Sequence, residues 1–313
     1  MTMYLQHFGL REPPFGLTPD THFFFSGSSY QAALNTLLVA ARSGEGFVKI
    51  VGEVGNGKTL LCRKFLAMLN QVPPVPSASS DVPPAPRFLT AYILNPYLEP
   101  HSLLLALAEE FCVPLDKDAD QHQLLKGLTF ALLECARNGQ RALVCLDEVQ
   151  AMPLESLEVL RLLTNLETEK RKLLQVVLFG QPELNERLRQ RSIRQLRQRI
   201  SFQHELKGLR RDEMERYLRH RLAVAQFPGD TLFSKGAVGK LYRISGGTPR
   251  LVNIVAHKAL MLAFSDGRQQ VLARHVRDAA ADTPEAHRDW LPWVVLAGFA
   301  AIVLLGVAWM TLQ

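Results

Sequence analysis

At 313 residues, 47% of them apolar and 21% charged, the chain has a globular composition with room for one α/β domain and a smaller module. That excludes a disordered, collagen-like or disulfide-knotted protein; Cys62, Cys112, Cys135 and Cys145 lack metal-ligand spacing and read as reduced packing thiols. The net charge of +6 is unevenly placed, because residues 187–221 hold twelve Lys or Arg against four Asp or Glu, an excess suited to an anionic surface or to arginines aimed at phosphates.

In chain order, Met1 to Gly16 lacks the long apolar core of a signal peptide. Residues 1–27 carry Tyr4, Phe8, Phe15, Phe23, Phe24 and Phe25 between proline turns. So many rings call for burial, as an arm packed on the nucleotide domain or as a wall for an adenine ring. Ser28 or Ser29 is placed to cap a helix to about Arg42, ended by Gly44. Phe47–Val51 is short and apolar, a buried strand, and the residues from Leu60 to Leu69 have helical apolar spacing. Between them Gly52-Glu53-Val54-Gly55-Asn56-Gly57-Lys58-Thr59 fits G-x-x-x-x-G-K-[ST]. Strand, glycine loop and helix in that order make a phosphate cradle for ATP, with Leu60 closing the contact set. Backbone N–H groups and the helix N-terminus face the phosphates. Lys58 would reach the β- and γ-phosphates, and the Thr59 hydroxyl would take a place on Mg²⁺.

Residues 71–87 include six prolines, a composition for a surface loop rather than a core. A second strand is expected from Phe88 to Leu94, ending at Asn95-Pro96, with helices over about 101–112 and 121–138. Ala142–Leu146 is an apolar run followed by Asp147-Glu148. A buried parallel strand would deliver both carboxylates to its C-terminal edge, where open α/β sheets bind ligands. Asp147 suits Mg²⁺, and Glu148 suits the attacking water. A helix is predicted over 154–169 and a fourth strand over Leu174–Phe179. Gln181 at its end is placed to sense the γ-phosphate, and Pro182 to open the next helix. A fifth strand covers Arg199 to His204.

From Leu206 the pattern is helical only. Asp212 caps one helix to about Ala225, Ser234 another to Ile244, and Thr248 a third that starts at Pro249; residues 271–282 suggest one more. Leu291 to Leu312 contains no charge, and at about 1.5 Å per residue it is long enough to cross a bilayer core. Trp290, Trp293 and Trp309 stand near its ends and the basic residues lie before it, so the anchor would keep the preceding domains in the cytoplasm. The expected division is a first segment 1–45 (arm and first helix), an α/β domain 46–205 with a five-stranded parallel sheet, a helical lid 206–283, and a linker with a transmembrane helix, 284–313.

The loop, Asp147-Glu148, Gln181 and the Gly246-Gly247-Thr248-Pro249-Arg250 turn together resemble AAA+ ATPases of the ExeA/GspA type. The likeness covers about residues 3–283. Its most specific part is Tyr4-Leu5-Gln6-His7-Phe8-Gly9-Leu10 with Pro14-Phe15-Gly16-Leu17-Thr18-Pro19-Asp20, followed by Gly46-Phe47 leading to Gly52-Glu53-Val54-Gly55 and by Gln195-Leu196-Arg197-Gln198-Arg199-Ile200. The resemblance implies an oligomeric ATPase that helps install a type II secretion or type IV, MSHA-like pilus apparatus in the inner membrane of Gram-negative bacteria. Some members add a periplasmic peptidoglycan-binding domain after the membrane helix; the sequence ends at Gln313, so a partner would supply that contact. It also implies that Arg250 is a second sensor on a lid helix, and that Arg199, with Arg197 in reserve, is an arginine finger offered to a neighbour's ATP. Gln181 becomes the first sensor, where Asn or Thr is more usual, and Asn95 holds the catalytic glutamate inactive.

Two other classes compete. A DNA-binding ATPase of a transposition type would use the 187–221 cations on phosphates, but no base-reading module accompanies them and a bilayer anchor would serve it little. A scaffold that binds ATP and hardly turns it over, as in an exopolysaccharide-export system, would leave Asp147-Glu148 without work. Pilus or secretion membrane proteins are the expected partners, and nucleic acid is not.

Overall fold

The computed structural model describes residues 3–71, 86–94, 97–114, 119–168 and 171–286. Asn95 and the 291–312 segment lie outside the described residues. Among the described residues, no helix is long and apolar enough to cross a membrane.

Contacts divide the chain into two compact units. One holds residues 17–224 with Thr248–Arg250, the other residues 1–16, 225–247 and 251 onward. In the larger unit, β1 (Phe47–Val51), β2 (Arg87–Ile93), β3 (Gln140–Leu146), β6 (Leu174–Gly180) and β7 (Ile200–Glu205) form one parallel sheet in the order β2-β3-β6-β1-β7. Every residue of β1 and β6 is buried, as expected of central strands covered on both faces. β7 is an edge strand and alternates half-buried with exposed residues. Helix α2 (Ser28–Ser43) precedes β1, and α3 (Lys58–Asn70), α4 (Pro100–Glu110), α5 (Gln121–Arg137) and α6 (Leu154–Leu163) occupy the connections. Leu103, Leu104, Leu107, Leu124, Leu128, Leu157 and Leu160 pack in one core with Val144, Leu146, Val176 and Leu178 of the sheet. Short helices α7 (Glu183–Arg187) and α8 (Arg194–Gln198) lead into β7.

Four local expectations are corrected. The helix predicted over 154–169 stops at Leu163, and a two-residue ladder follows, β4 (Glu167–Thr168) against β5 (Arg171–Lys172). Neither Ser28 nor Ser29 caps α2, whose N-cap is Gly27. The Ser28 N–H instead donates to Glu213 Oε1 (2.7 Å), and Ser29 Oγ accepts from the Lys207 N–H (2.9 Å). Asp212 is not a cap but lies inside α9 (Arg211–Val224); its neighbour Glu213 accepts from the Arg210 N–H at 3.0 Å. Finally, α9 clusters with the sheet unit and not with the helical lid, beside residues 17–27, which lie there as an arm packed on the nucleotide domain would: the Arg221 guanidinium lies 4.4 Å over the Phe23 ring, and Phe25 meets Tyr217 edge-on.

The smaller unit begins with α1 (Met3–Phe8), a helix absent from the sequence-based expectation, where proline and glycine turns dominate the reading. It adds α10 (Lys235–Ser245), most of α11 (Pro249–Ser265) and α12 (Ala273–Ala281). Ser234 caps α10 by accepting from the Ala237 N–H (3.2 Å), as its position suggested. Phe15 packs edge-on against Phe233, and Tyr4 against His257, with centroids 5.7 Å apart in each case. The first half of the aromatic arm is thus core of the helical unit.

Candidate functional site

Parallel register builds the site. Val51 pairs with Gly180, and Leu146 pairs with Leu178. The glycine loop, Asp147-Glu148 and Gln181 therefore leave the same sheet edge from three adjacent strands. Gly55 and Gly57 have φ of 81° and 78°, a left-handed backbone that glycine adopts without steric penalty. Gly52 has a different constraint, since a Cβ there would stand 2.7 Å from the Leu206 carbonyl oxygen. Asn56 ties the loop down: its Nδ2 donates to Leu206 O (3.0 Å), and its own carbonyl accepts from the Tyr30 hydroxyl (2.9 Å). Burial, helped by the charges of Tyr217 and Glu213, pushes the Tyr30 phenol up, so it stays a neutral donor.

Lys58 opens α3 and is buried; its Nζ donates to the carbonyls of Gly52 (2.8 Å) and Glu53 (3.2 Å). Burial lowers its affinity for the proton, and the Glu148 and Asp147 carboxylates oppose that shift. Thr59 Oγ1 donates to Asp147 Oδ2 at 2.5 Å, and the Tyr92 hydroxyl to the same oxygen at 3.3 Å. Burial raises the Asp147 pKa against the Thr59 hydrogen bond. Thr59 and Asp147 thus offer hard oxygen donors at one point. Among the described residues no cluster of three His, Cys, Asp or Glu forms a protein cage. That donor set fits Mg²⁺, which takes one or two protein oxygens and fills its octahedron with water and phosphate.

Glu148 sits in left-handed backbone (φ 53°, ψ 37°), unusual for a non-glycine residue and a conformation found at functional sites. The turn directs its carboxylate to two amides: Gln150 Nε2 donates to Oε2 at 2.6 Å and Gln181 Nε2 at 2.9 Å. The Gln181 N–H donates to Gln150 Oε1 (2.9 Å), and Arg187 donates to the carbonyls of Gln150 and Met152. Burial alone would raise Glu148, but these amides and the Lys58 charge hold it below the usual carboxylate range. One carboxylate oxygen is saturated by amides, which leaves Oε1 for a water.

The remaining predicted residues divide. Arg250 meets the loop: its N–H donates to Gly55 O (3.2 Å), and a Cβ on Gly55 would lie 2.8 Å from Arg250 Cβ. Arg197 and Arg199 do not join the pocket. They precede β7, whose Ile200 pairs with Phe47, the start of β1, whereas the loop follows Val51, paired with Glu205. Sequence reasoning missed Gln150, Tyr92, Tyr30 and Arg187. Gln150 alone had a readable signal, an amide two residues beyond the acidic pair.

The AAA domain family matches residues 41–188. The General secretion pathway protein A of Aeromonas hydrophila is 38% identical over 309 residues, covering 98% of this chain and 53% of that protein. The chain thus spans about half the length of that curated relative. Among solved structures, the Aeropyrum pernix ORC2 protein in its ADPNP–ADP complexes superposes with a TM-score of 0.58 at 19% identity, over 85% of this chain and 72% of that one. The Pyrobaculum aerophilum Cdc6p gives 0.60 at 14% identity, over 84% and 70%. These structural likenesses extend over the region, residues 41–188, that matches the AAA domain family. By its geometry the observed edge offers loop amides and Lys58 suited to phosphates, Thr59 and Asp147 suited to a metal, and Glu148 suited to a water.

Proposed function

We propose that this chain is a membrane-anchored AAA+ ATPase that couples ATP hydrolysis to assembly of a type II secretion or type IV pilus apparatus, the latter like that served by the MSHA pilus biogenesis protein MshM. The observation that carries the reading is the general-secretion relative, similar over 98% of this chain, together with the complete glycine loop and acidic pair in that shared region. Arg199 supports turnover between copies. It precedes β7 at the Phe47 end of the sheet, away from its own loop after Val51, so it would serve a neighbour's ATP, where a cation on the transferring phosphoryl raises turnover by about 10³ or more. Thr59 and Asp147 would hold Mg²⁺, which would supply charge neutralisation at the phosphates. Glu148 Oε1 takes the proton side of the water, Gln150 and Gln181 fix that carboxylate, and Lys58 binds phosphate oxygens. The apolar 291–312 stretch supports an inner-membrane anchor with the ATPase domain in the cytoplasm.

The test is complementation with separate readouts. A Lys58→Ala chain should remain in the membrane fraction after alkaline washing yet fail to support piliation or secretion in cells lacking the native copy. Normal piliation and normal secretion from that variant would end the proposal. Exposed Arg189, Arg191 and Arg194 favour nucleic acid as a second reading. Salt-sensitive retention of duplex DNA, with a slope near one per contacted phosphate, would support it, and no retention at low salt would remove it.

A further inference from the structure

We infer that the cavity between β1, β7 and α7 binds a small phosphate-type dianion, free or as the terminal group of a phosphomonoester. The starting point is Lys49. β1 is otherwise apolar and buried along its whole length, and packing there calls for a Val or Ile. Lys49 is only 9% exposed. Its Nζ donates to Asn185 Oδ1 at 2.6 Å, and among the described residues it has no carboxylate partner. An ammonium taken from water without a counter-ion is unfavourable, so such groups are ordinarily paired.

The surroundings add positive charge. Arg189 and Arg197 line the same cavity of about 470 Å³, with Asn185, Ser201 and Gln203, and among the described residues no acidic side chain lines it. Burial, then Arg197 and Arg189, make Lys49 easier to deprotonate. Three cations and three neutral hydrogen-bonding side chains on one concave surface match a doubly charged oxyanion, with volume left for a small organic group. A carboxylate would leave most of that charge unanswered. This site is separate from the glycine loop, because Lys58 turns to the Gly52 and Glu53 carbonyls and does not line it. Arg199 lines a different cavity, with Glu167 and Lys172, so the two candidate fingers part here: Arg197 belongs to the anion site and Arg199 remains for a neighbour.

The test uses the full chain carrying Lys58→Ala, so that the glycine loop does not answer for the cavity. Thermal unfolding is followed with inorganic phosphate, glycerol phosphate, short duplex DNA, or sodium chloride at matched ionic strength. At about 10 mM, phosphate or glycerol phosphate should raise Tm by about 2–4 °C over chloride. Lys49→Met and Arg189→Gln, each added to that background, should abolish the rise. The stronger of the two ligands identifies the source as free ion or monoester. Lys49→Met replaces a buried cation with an apolar chain of similar length, so its unliganded Tm should not fall; Arg189→Gln, at an exposed position, carries the test if it does. No rise beyond chloride, a rise that survives both substitutions, or a response to DNA alone would overturn the assignment.

Discussion

Gln150 shows what a single side chain can contribute here. Its amide spans the Glu148 carboxylate and the Gln181 backbone, so its removal should leave Glu148 anionic but held by the Gln181 amide alone. Gln150→Leu is expected to lower kcat by about tenfold, the order of a lost general-base alignment, while KM for ATP stays within about twofold. Because the Gln150 amide helps hold the Glu148 pKa down, the acid limb of the kcat–pH profile should move up in this variant, whereas a folding defect would lower active enzyme without changing that profile. Glu148→Gln should go further, with nucleotide retained and turnover down by about 10² or more. The loop and acidic pair were legible in the sequence because their spacing is local and their chemistry demands those residue types. Gln150's role was not, because it depends on the left-handed turn at Glu148, which no propensity predicts for glutamate. Arg187 was hidden for a related reason: an arginine in a basic run looks solvated until its carbonyl partners are known.

Among the elements, strands followed apolar period and Ser234 capped α10 as read, whereas the Ser28 and Asp212 caps failed where tertiary partners override local chemistry. Ser28 would cap α2 in isolation, but Glu213 supplies a carboxylate to its N–H from 185 residues away. That carboxylate links α2 to α9, and it titrates. Burial raises its pKa, the hydrogen bonds from the Ser28 and Arg210 N–H groups lower it by more, and the net shift is downward. A carboxylate with a depressed folded pKa adds stability that is full above its unfolded value of about 4.3 and lost as pH falls through the folded one. Glu213→Gln should therefore cost about 1–3 kcal/mol near neutrality, the range for hydrogen bonds to a charged group. The variant and parent should converge below about pH 4. Denaturant unfolding across pH would show it, and a constant difference down to pH 3 would refute it. Gly55 carries a second prediction at this scale. Its φ of 81° and its contact with Arg250 Cβ leave no room for a methyl, so Gly55→Ala should destabilise by about 1 kcal/mol or more. It should also weaken nucleotide binding, as read by a fluorescent ATP analogue.

For the whole molecule, a pocket assembled at one sheet edge and an arginine at the other invite a mixing experiment. Arg199 adjoins β7 at the Phe47 end, and the loop adjoins Val51, so one copy's residue is not positioned to serve its own ATP. Consider a chain with Arg199→Ala and an intact loop, and another with Glu148→Gln and an intact arginine. Alone, each should bind nucleotide and turn over slowly, by about 10³ for the missing finger. Mixed, a fraction of contacts pairs an intact Glu148 site with an intact Arg199, and turnover should recover in proportion to that fraction. Recovery should rise with protein concentration, since association precedes catalysis. A mixture no faster than its components at any concentration would assign catalysis to single copies and remove the trans arginine. Recovery with Arg197→Ala in place of Arg199→Ala, and none with Arg199→Ala, would instead give the finger role to Arg197 and detach it from the cavity beside Lys49.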